Sequence, residues 1–206
     1  MSITKTFLDG EPSAVAAFLT STGLFGSVTQ STNTITCKDT DNNTLLTITK
    51  DASYTWSFAV NVGEHTFTKQ YENTGFNYGY NCNNGAFLVL NYNSQDNKYS
   101  IVLSKTNTNH VAIIIPDSYD NRNKLYCLAY SDTWPISYYT IAPSVSEQTV
   151  LSPFITNAAT GTSSYTPKAF YIPYGEYVGR GYAKFIMNGT DYVTDGYFAI
   201  SDAVSN

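Results

Sequence analysis

Apolar and polar positions alternate along most of this chain with a period of two. The clearest run is Tyr54, Trp56, Phe58, Val60 and Val62, separated by small residues. It predicts a strand with one buried face. Thr-rich runs from Ser27 to Cys37 and from Thr44 to Lys50 flank Asp39-Thr40-Asp41-Asn42-Asn43, whose composition predicts a turn. Gly63-Glu64-His65 turns the Trp56 strand into a partner, Thr66 to Tyr71. Gly85 to Tyr92 and Lys98 to Ser104 read as a hairpin through Asn93-Ser94-Gln95-Asp96-Asn97, and Val111 to Ile115 pairs in the same way with Lys124 to Tyr130. β-branched and aromatic side chains dominate these runs and suit a pleated, half-buried surface.

One segment departs from period two. Ala14, Val15, Phe18 and Leu19 recur at helical spacing after Asp9-Gly10-Glu11-Pro12, and Gly23 follows. Acidic residues and an early Pro suit a first helical turn, and Gly suits the left-handed position after the last. The pattern predicts a helix at about residues 12–22 with an apolar stripe to bury.

From residue 142 to 167 the periodicity stops. Pro143, Pro153 and Pro167 punctuate a stretch of Ser, Thr and Ala, which reads as an extended linker or arm. Alternation resumes from Lys168. Asn188-Gly189 between Phe185-Ile186-Met187 and Thr190-Asp191-Tyr192-Val193 is a strong hairpin signal, because both turn residues need positive φ. The expected organisation is a helix plus β-sandwich domain at 1–141, a linker or arm at 142–167 and a β-hairpin unit at 168–206. The fold class is mainly β: an antiparallel sandwich or barrel with one N-terminal helix and a small C-terminal β unit.

Composition narrows the function classes. Charged residues are only 13% of 206, while Thr, Ser and Asn number 27, 20 and 19. The surface is therefore built largely from hydroxyls and amides. An apolar content of 42% is too high for a disordered tail. No run of about 18 apolar residues marks a membrane span. Eleven basic against 16 acidic residues leave no footprint for nucleic acid. Cys37, Cys82 and Cys127 are odd in number and widely spaced, so free thiols are expected in place of a disulfide framework. Met1 to Asp9 has no apolar leader pattern, so a chain made in the cytoplasm without a signal peptide is expected.

Candidate chemistry is sparse. Asp39, Asp41 and Asn43 match the start of a calcium loop, but Thr44 and Lys50 stand where Gly and Glu are needed, so a turn is expected. His65 and His110 lack a nucleophile elbow nearby, and most of the carboxylates, such as Asp117 and Asp191, sit in turn-like contexts. No catalytic residue, metal site or cofactor is assigned. Two aromatic segments remain. Tyr171, Tyr174, Tyr177, Arg180 and Tyr182 are candidate interface residues, since Tyr and Arg are enriched at protein contacts. The Asn- and Gly-rich segment from Tyr71 to Asn84 reads as a recognition loop, with Phe76, Asn77, Tyr78 and Tyr80 as candidate glycan or receptor contacts.

The closing stretch carries a resemblance. Lys168-Ala169-Phe170-Tyr171-Ile172-Pro173-Tyr174-Gly175-Glu176-Tyr177, then Gly181-Tyr182-Ala183-Lys184-Phe185 and the Asn188-Gly189 hairpin through Asp202, are similar to the C-terminal parts of small virion proteins encoded near the tail and neck genes of phages and prophages of Gram-positive hosts. The likeness covers about the last 40 residues and brings no catalytic motif. It implies a non-enzymatic structural component of a virion or phage-tail-like particle. The implied partners are copies of itself and other virion proteins, with no nucleic acid or membrane. The alternative is a decoration module that binds a receptor or cell-surface glycan.

Overall fold

The structure is a computed structural model that describes residues 3–62, 65–92, 98–105, 111–116, 125–129, 139–140, 169–171, 183–187, 189–195 and 198–204. It is mainly β, with one helix and three antiparallel sheets among these residues.

The five-stranded sheet is a meander of β2 (Ser27–Ser31), β3 (Thr34–Lys38), β4 (Thr44–Lys50), β5 (Trp56–Val62) and β6 (His65–Tyr71), in that order. The seven-stranded sheet starts at β1 (Thr4–Phe7). It continues through β7 (Thr74–Cys82), β8 (Gly85–Tyr92), β9 (Lys98–Lys105), β10 (Val111–Pro116), β11 (Leu125–Ala129) and β12 (Tyr139–Thr140). The two expected hairpins, β8–β9 and β10–β11, form in register. The third sheet, ordered β13-β16-β15-β14, holds β13 (Ala169–Tyr171), β14 (Ala183–Met187), β15 (Thr190–Thr194) and β16 (Phe198–Ser201). Its β14–β15 hairpin turns at Gly189, which has φ 75°, as the Asn-Gly signal requires.

Helix α1 (Pro12–Ser21) buries Val15, Ala16, Phe18 and Leu19, and Gly23 follows at φ 63°. These residues join one core with Ile35, Leu46, Ile48, Trp56, Phe58 and Val60 of the five-stranded sheet and with Phe76, Leu88, Leu90, Ile101, Leu103 and Ile113 of the seven-stranded one. This is the sandwich that the period-two pattern implied.

The alternation explains which residues reach this core. Ala86, Leu88 and Leu90 face it from β8, while Phe87 and Val89 point the other way; Phe87 pairs with Val102, and Val102 with Ile114. Phe87, Val89, Val102 and Ile114 are also fully buried. The central strands therefore carry continuous apolar runs, as sheets covered on both faces do.

The C-terminal sheet meets this second face near the β7–β8 turn. Side-chain atoms of Ile200 lie 3.0 and 3.2 Å from where a Cβ on Gly85 would stand. Asn84, 2% exposed, donates from Nδ2 to the carbonyls of Ser201 and Ala203, both at 2.7 Å. Asp202 Oδ1 accepts from the Asn83 amide at 3.1 Å, and its Oδ2 pairs with Lys184 Nζ at 2.7 Å. Replacing Asn84 by Ala removes a buried amide that holds two part-buried carbonyls, and about 1–2 kcal/mol of stability is expected to go with it. A urea titration of Asn84→Ala measures this, and an unchanged midpoint would show that the amide does not hold the two sheets together.

The Thr-rich run from Ser27 to Cys37 forms the β2–β3 hairpin, turning at Thr32 (φ 50°). Two expectations are corrected. Tyr54 lies outside β5, in a turn at φ 59°, and is 66% exposed. The segment from Tyr71 to Asn84 is not a loop: it is the end of β6, a tight turn at Glu72 and Asn73, and the whole of β7. The proposed arm at 142–167 lies outside the described residues.

Candidate functional site

The turn from Asp39 to Asn43 forms as expected. Asp39 Oδ1 accepts the Asn43 amide at 2.7 Å and Oδ2 accepts its Nδ2 at 3.0 Å. The carboxylate thus closes the turn itself. Among the described residues no group of three or more His, Cys, Asp or Glu side chains is placed to hold a metal ion. No helix among them is long and apolar enough to cross a membrane.

Burial sets the state of two potential nucleophiles. The Cys37 thiol, fully buried, is pushed up from 9.0 to about 12 by desolvation. Burial likewise pushes Cys82 up to about 11, and its thiol donates to the Gly85 carbonyl at 3.2 Å. Both are free thiols. Neither is a thiolate near neutrality, so neither attacks as a nucleophile. Peptides carrying Cys37 and Cys82 should therefore stay unalkylated by iodoacetamide at pH 8 in the native protein and become labelled in denaturant. Folding favours the neutral form of both groups. Their contribution to stability is complete below pH 9.0 and declines as the pH climbs towards about 11 and 12. Native labelling at pH 8 would contradict the buried setting.

The four residues expected to form a recognition loop fall into three settings. Phe76 is 2% exposed and packs its ring against Trp56, with centroids 4.6 Å apart at 80°. It is a core residue and cannot meet a ligand from the surface. Asn77 occupies the β-bulge between Phe76 and Tyr78, where its carbonyl accepts the Leu8 amide at 2.8 Å. Tyr78 and Tyr80, two apart on β7, share the face away from the helix. Opposite them on β1 stand Phe7 and Lys5. Phe7 meets Tyr78 edge to face at 5.8 Å, and Lys5 Nζ sits 3.9 Å from the Tyr78 ring centre and 5.7 Å from that of Tyr80. The ammonium caps the ring face that a sugar would stack upon. Phe7 is 66% exposed, and all four residues of β1 are exposed at the edge of the sheet. β1 itself was missed in the sequence, because Thr-Lys-Thr-Phe is too short and polar to show periodicity.

Of the second candidate group, Tyr171 stands on β13 opposite Phe198. Tyr174, Tyr177, Arg180 and Tyr182 lie outside the described residues, as does His110.

A second feature lies where β1 ends and α1 begins. An open hollow of about 290 Å³ is lined by Glu11, Lys50, Tyr54, Trp56, Gly75, Asn77 and Asn91 among others. The Asp51 carboxylate builds its rim by accepting the amides of Ser53 and Thr55, both at 2.8 Å, which presents Tyr54 outward. Lys50 Nζ donates to the Gly10 carbonyl and to Glu11 Oε1, both at 2.9 Å. The same ammonium lies 5.3 Å from the Tyr54 ring centre and 5.8 Å from that of Trp56. No local motif announces this site, since Lys50 and Glu11 are 39 positions apart.

No family model matches this chain, and neither the curated proteins nor the solved structures contain a match to it.

Proposed function

We propose that this protein is a non-enzymatic structural subunit of a phage virion or phage-tail-like particle, acting through contacts with copies of itself and with other virion proteins. The observation that carries the reading is the β1 edge. Among the described residues β1 is an edge strand with all four residues exposed, and such an edge offers backbone groups to a neighbour's strand. Beside it stand an exposed Phe7 and two Tyr rings, residue types enriched at protein interfaces. The likeness of the last 40 residues to tail- and neck-associated proteins supplies the particle setting. Low charge density across the chain keeps repulsion between adjacent copies small.

Mass spectrometry of purified particles tests the setting directly: the chain should be present in stoichiometric amount, and its absence would end the proposal. Phe7→Glu tests the edge. It places a carboxylate on an already exposed position, so the fold should persist while incorporation into particles falls by at least about tenfold. Unchanged incorporation would remove β1 from the contact.

A further inference from the structure

We infer that β2 is a self-complementary edge through which two copies of this chain pair about a two-fold axis, joining their five-stranded sheets into one. This goes beyond the assembly reading. It uses an edge of the other large sheet and concerns the free protein, so it stands or falls by itself.

The first observation is how the sheet edges are guarded. An exposed edge invites pairing with another chain, and proteins blunt it with lysines or by keeping the strand short. Among the described residues, edge strands β1, β6 and β14 carry Lys5, Lys69 and Lys184, while edge strands β12 and β13 have two and three residues. Lys69 stands opposite Phe58, so it projects from the core side of its edge. β2 has none of these devices. Ser27-Val28-Thr29-Gln30-Ser31 is five residues long, holds no charge and no proline, and is exposed everywhere but at Val28. Lys5 disfavours a second β1 as the neighbour of β1; nothing on β2 disfavours a second β2.

The second observation is the order of residues on β2, which names the partner. Val28 packs against the core, so Ser27, Thr29 and Ser31 share the outer face. That face reads Ser-Thr-Ser in both directions about Thr29. A two-fold axis at Thr29 sets an antiparallel ladder in which Thr29 meets Thr29 of the second copy, Ser27 meets Ser31, and Val28 meets Gln30. Thr and Ser side chains directly opposed in such a ladder stabilise it by hydrogen bonding.

Charge agrees with this register. Lys38 lies one strand in, beside Ser27, and its counterpart across the junction is Thr34, beside Ser31. Its Nζ donates to Asn42 Oδ1 at 3.0 Å, within its own turn. Behind Thr29 the same row runs through Thr36, Thr47, Ala59 and Thr68 to the far side of the sheet, all uncharged. Pairing therefore opposes no like charges and desolvates none. A ladder of five residues is a small interface, so the dimer is weak and reversible. Such a contact gains strength when an assembly repeats it.

Sedimentation equilibrium of the full chain over a concentration series should show monomer and dimer in exchange. Thr29 is exposed, so substitutions there leave the fold in place. Thr29→Lys and Thr29→Glu each set like charges face to face on the axis, and each should weaken dimerisation at least about tenfold. An equimolar mixture of the two should dimerise at least as well as the parent, because Lys then meets Glu. Thr29→Cys should cross-link into a dimer under mild oxidation, since opposed Cα atoms in an antiparallel ladder stand about 4.5–5.5 Å apart, within disulfide reach. Thr47→Cys, two strands in on the same row, should not. The inference is overturned if the parent stays monomeric at every concentration and Thr29→Cys does not cross-link, if the dimer survives Thr29→Lys unchanged, or if the mixture fails to recover it. Phe7→Glu should leave this dimer intact. Its loss in that variant would assign self-association to β1 and overturn the inference, whereas absence of the chain from purified particles would end the assembly reading and leave the β2 dimer standing.

Discussion

Trp56→Ala is expected to lose about 3–5 kcal/mol of unfolding free energy, the range for deleting a large buried aromatic. Trp56 is fully buried at the point where the two sheets of the sandwich close on each other. Its ring packs edge to face on Phe76 of the opposite sheet, and Phe76 in turn lies 6.0 Å from Phe58. Removing the indole opens a cavity between two sheets whose backbones cannot collapse onto it without breaking their ladders. For a chain of this size each kcal/mol moves Tm by about 2–4 °C, so the melting point should drop by roughly 10 °C. Trp56→Phe should cost far less, about 1–2 kcal/mol, because it keeps the aromatic contact and deletes an N–H that has no partner among the described residues. Tyr54→Ala, two positions earlier, should stay within about 0.5 kcal/mol, since that side chain is 66% exposed. Chemical denaturation of the three variants decides the matter. Equal losses at positions 54 and 56 would mean that the alternation does not set which ring is inside.

That contrast also shows how far the chain could be read before its structure. Strict alternation placed Trp56, Phe58 and Val60 inside correctly, because side-chain direction in a strand is a local property. The same alternation extended one step too far, to Tyr54. The missed signal was Asp51, whose short carboxylate captures the amides of Ser53 and Thr55 and bends the chain before the strand begins. β7 was missed for the opposite reason. Its Gly and Asn content belongs to loops by composition, but Gly79 is there for the Phe18 ring that stands beside it in space. The helix was legible from the spacing of Val15, Phe18 and Leu19 between Pro12 and Gly23, although no side chain caps its start and no acidic residue stands in its first turn, and the Asn-Gly hairpin was legible because a tight turn is written in adjacent residues. The hollow was not. Gly75 opposite Asn91, Lys50 against Glu11, and Trp56 beside both depend on strand register and on where α1 lands, which no spacing in the sequence encodes.

Gly79 turns this into a second measurable expectation. It lies on β7 opposite Leu88 and faces the helix, so that a methyl group at its Cα would overlap the ring of Phe18. Phe18 is 2% exposed, and the helix rests on the sheet through that ring. A glycine inside a strand costs about 0.5–1 kcal/mol relative to Ala in backbone freedom. The close approach of the ring offsets this by burying Phe18. Gly79→Val should therefore cost about 3 kcal/mol, because the added side chain must push Phe18 off its rotamer or lift α1 from the sheet. Phe18→Ala alone should cost about 3–5 kcal/mol through the cavity it leaves. In the double variant the valine occupies volume that the phenyl ring vacates. The combined loss should then fall short of the sum of the single losses by about 1–3 kcal/mol, the size of coupling seen between residues in contact. Urea unfolding of the parent and the three variants measures the cycle. Losses that add within about 0.5 kcal/mol would mean that the ring does not rest on Gly79, and that the helix docks on the sheet by some other contact.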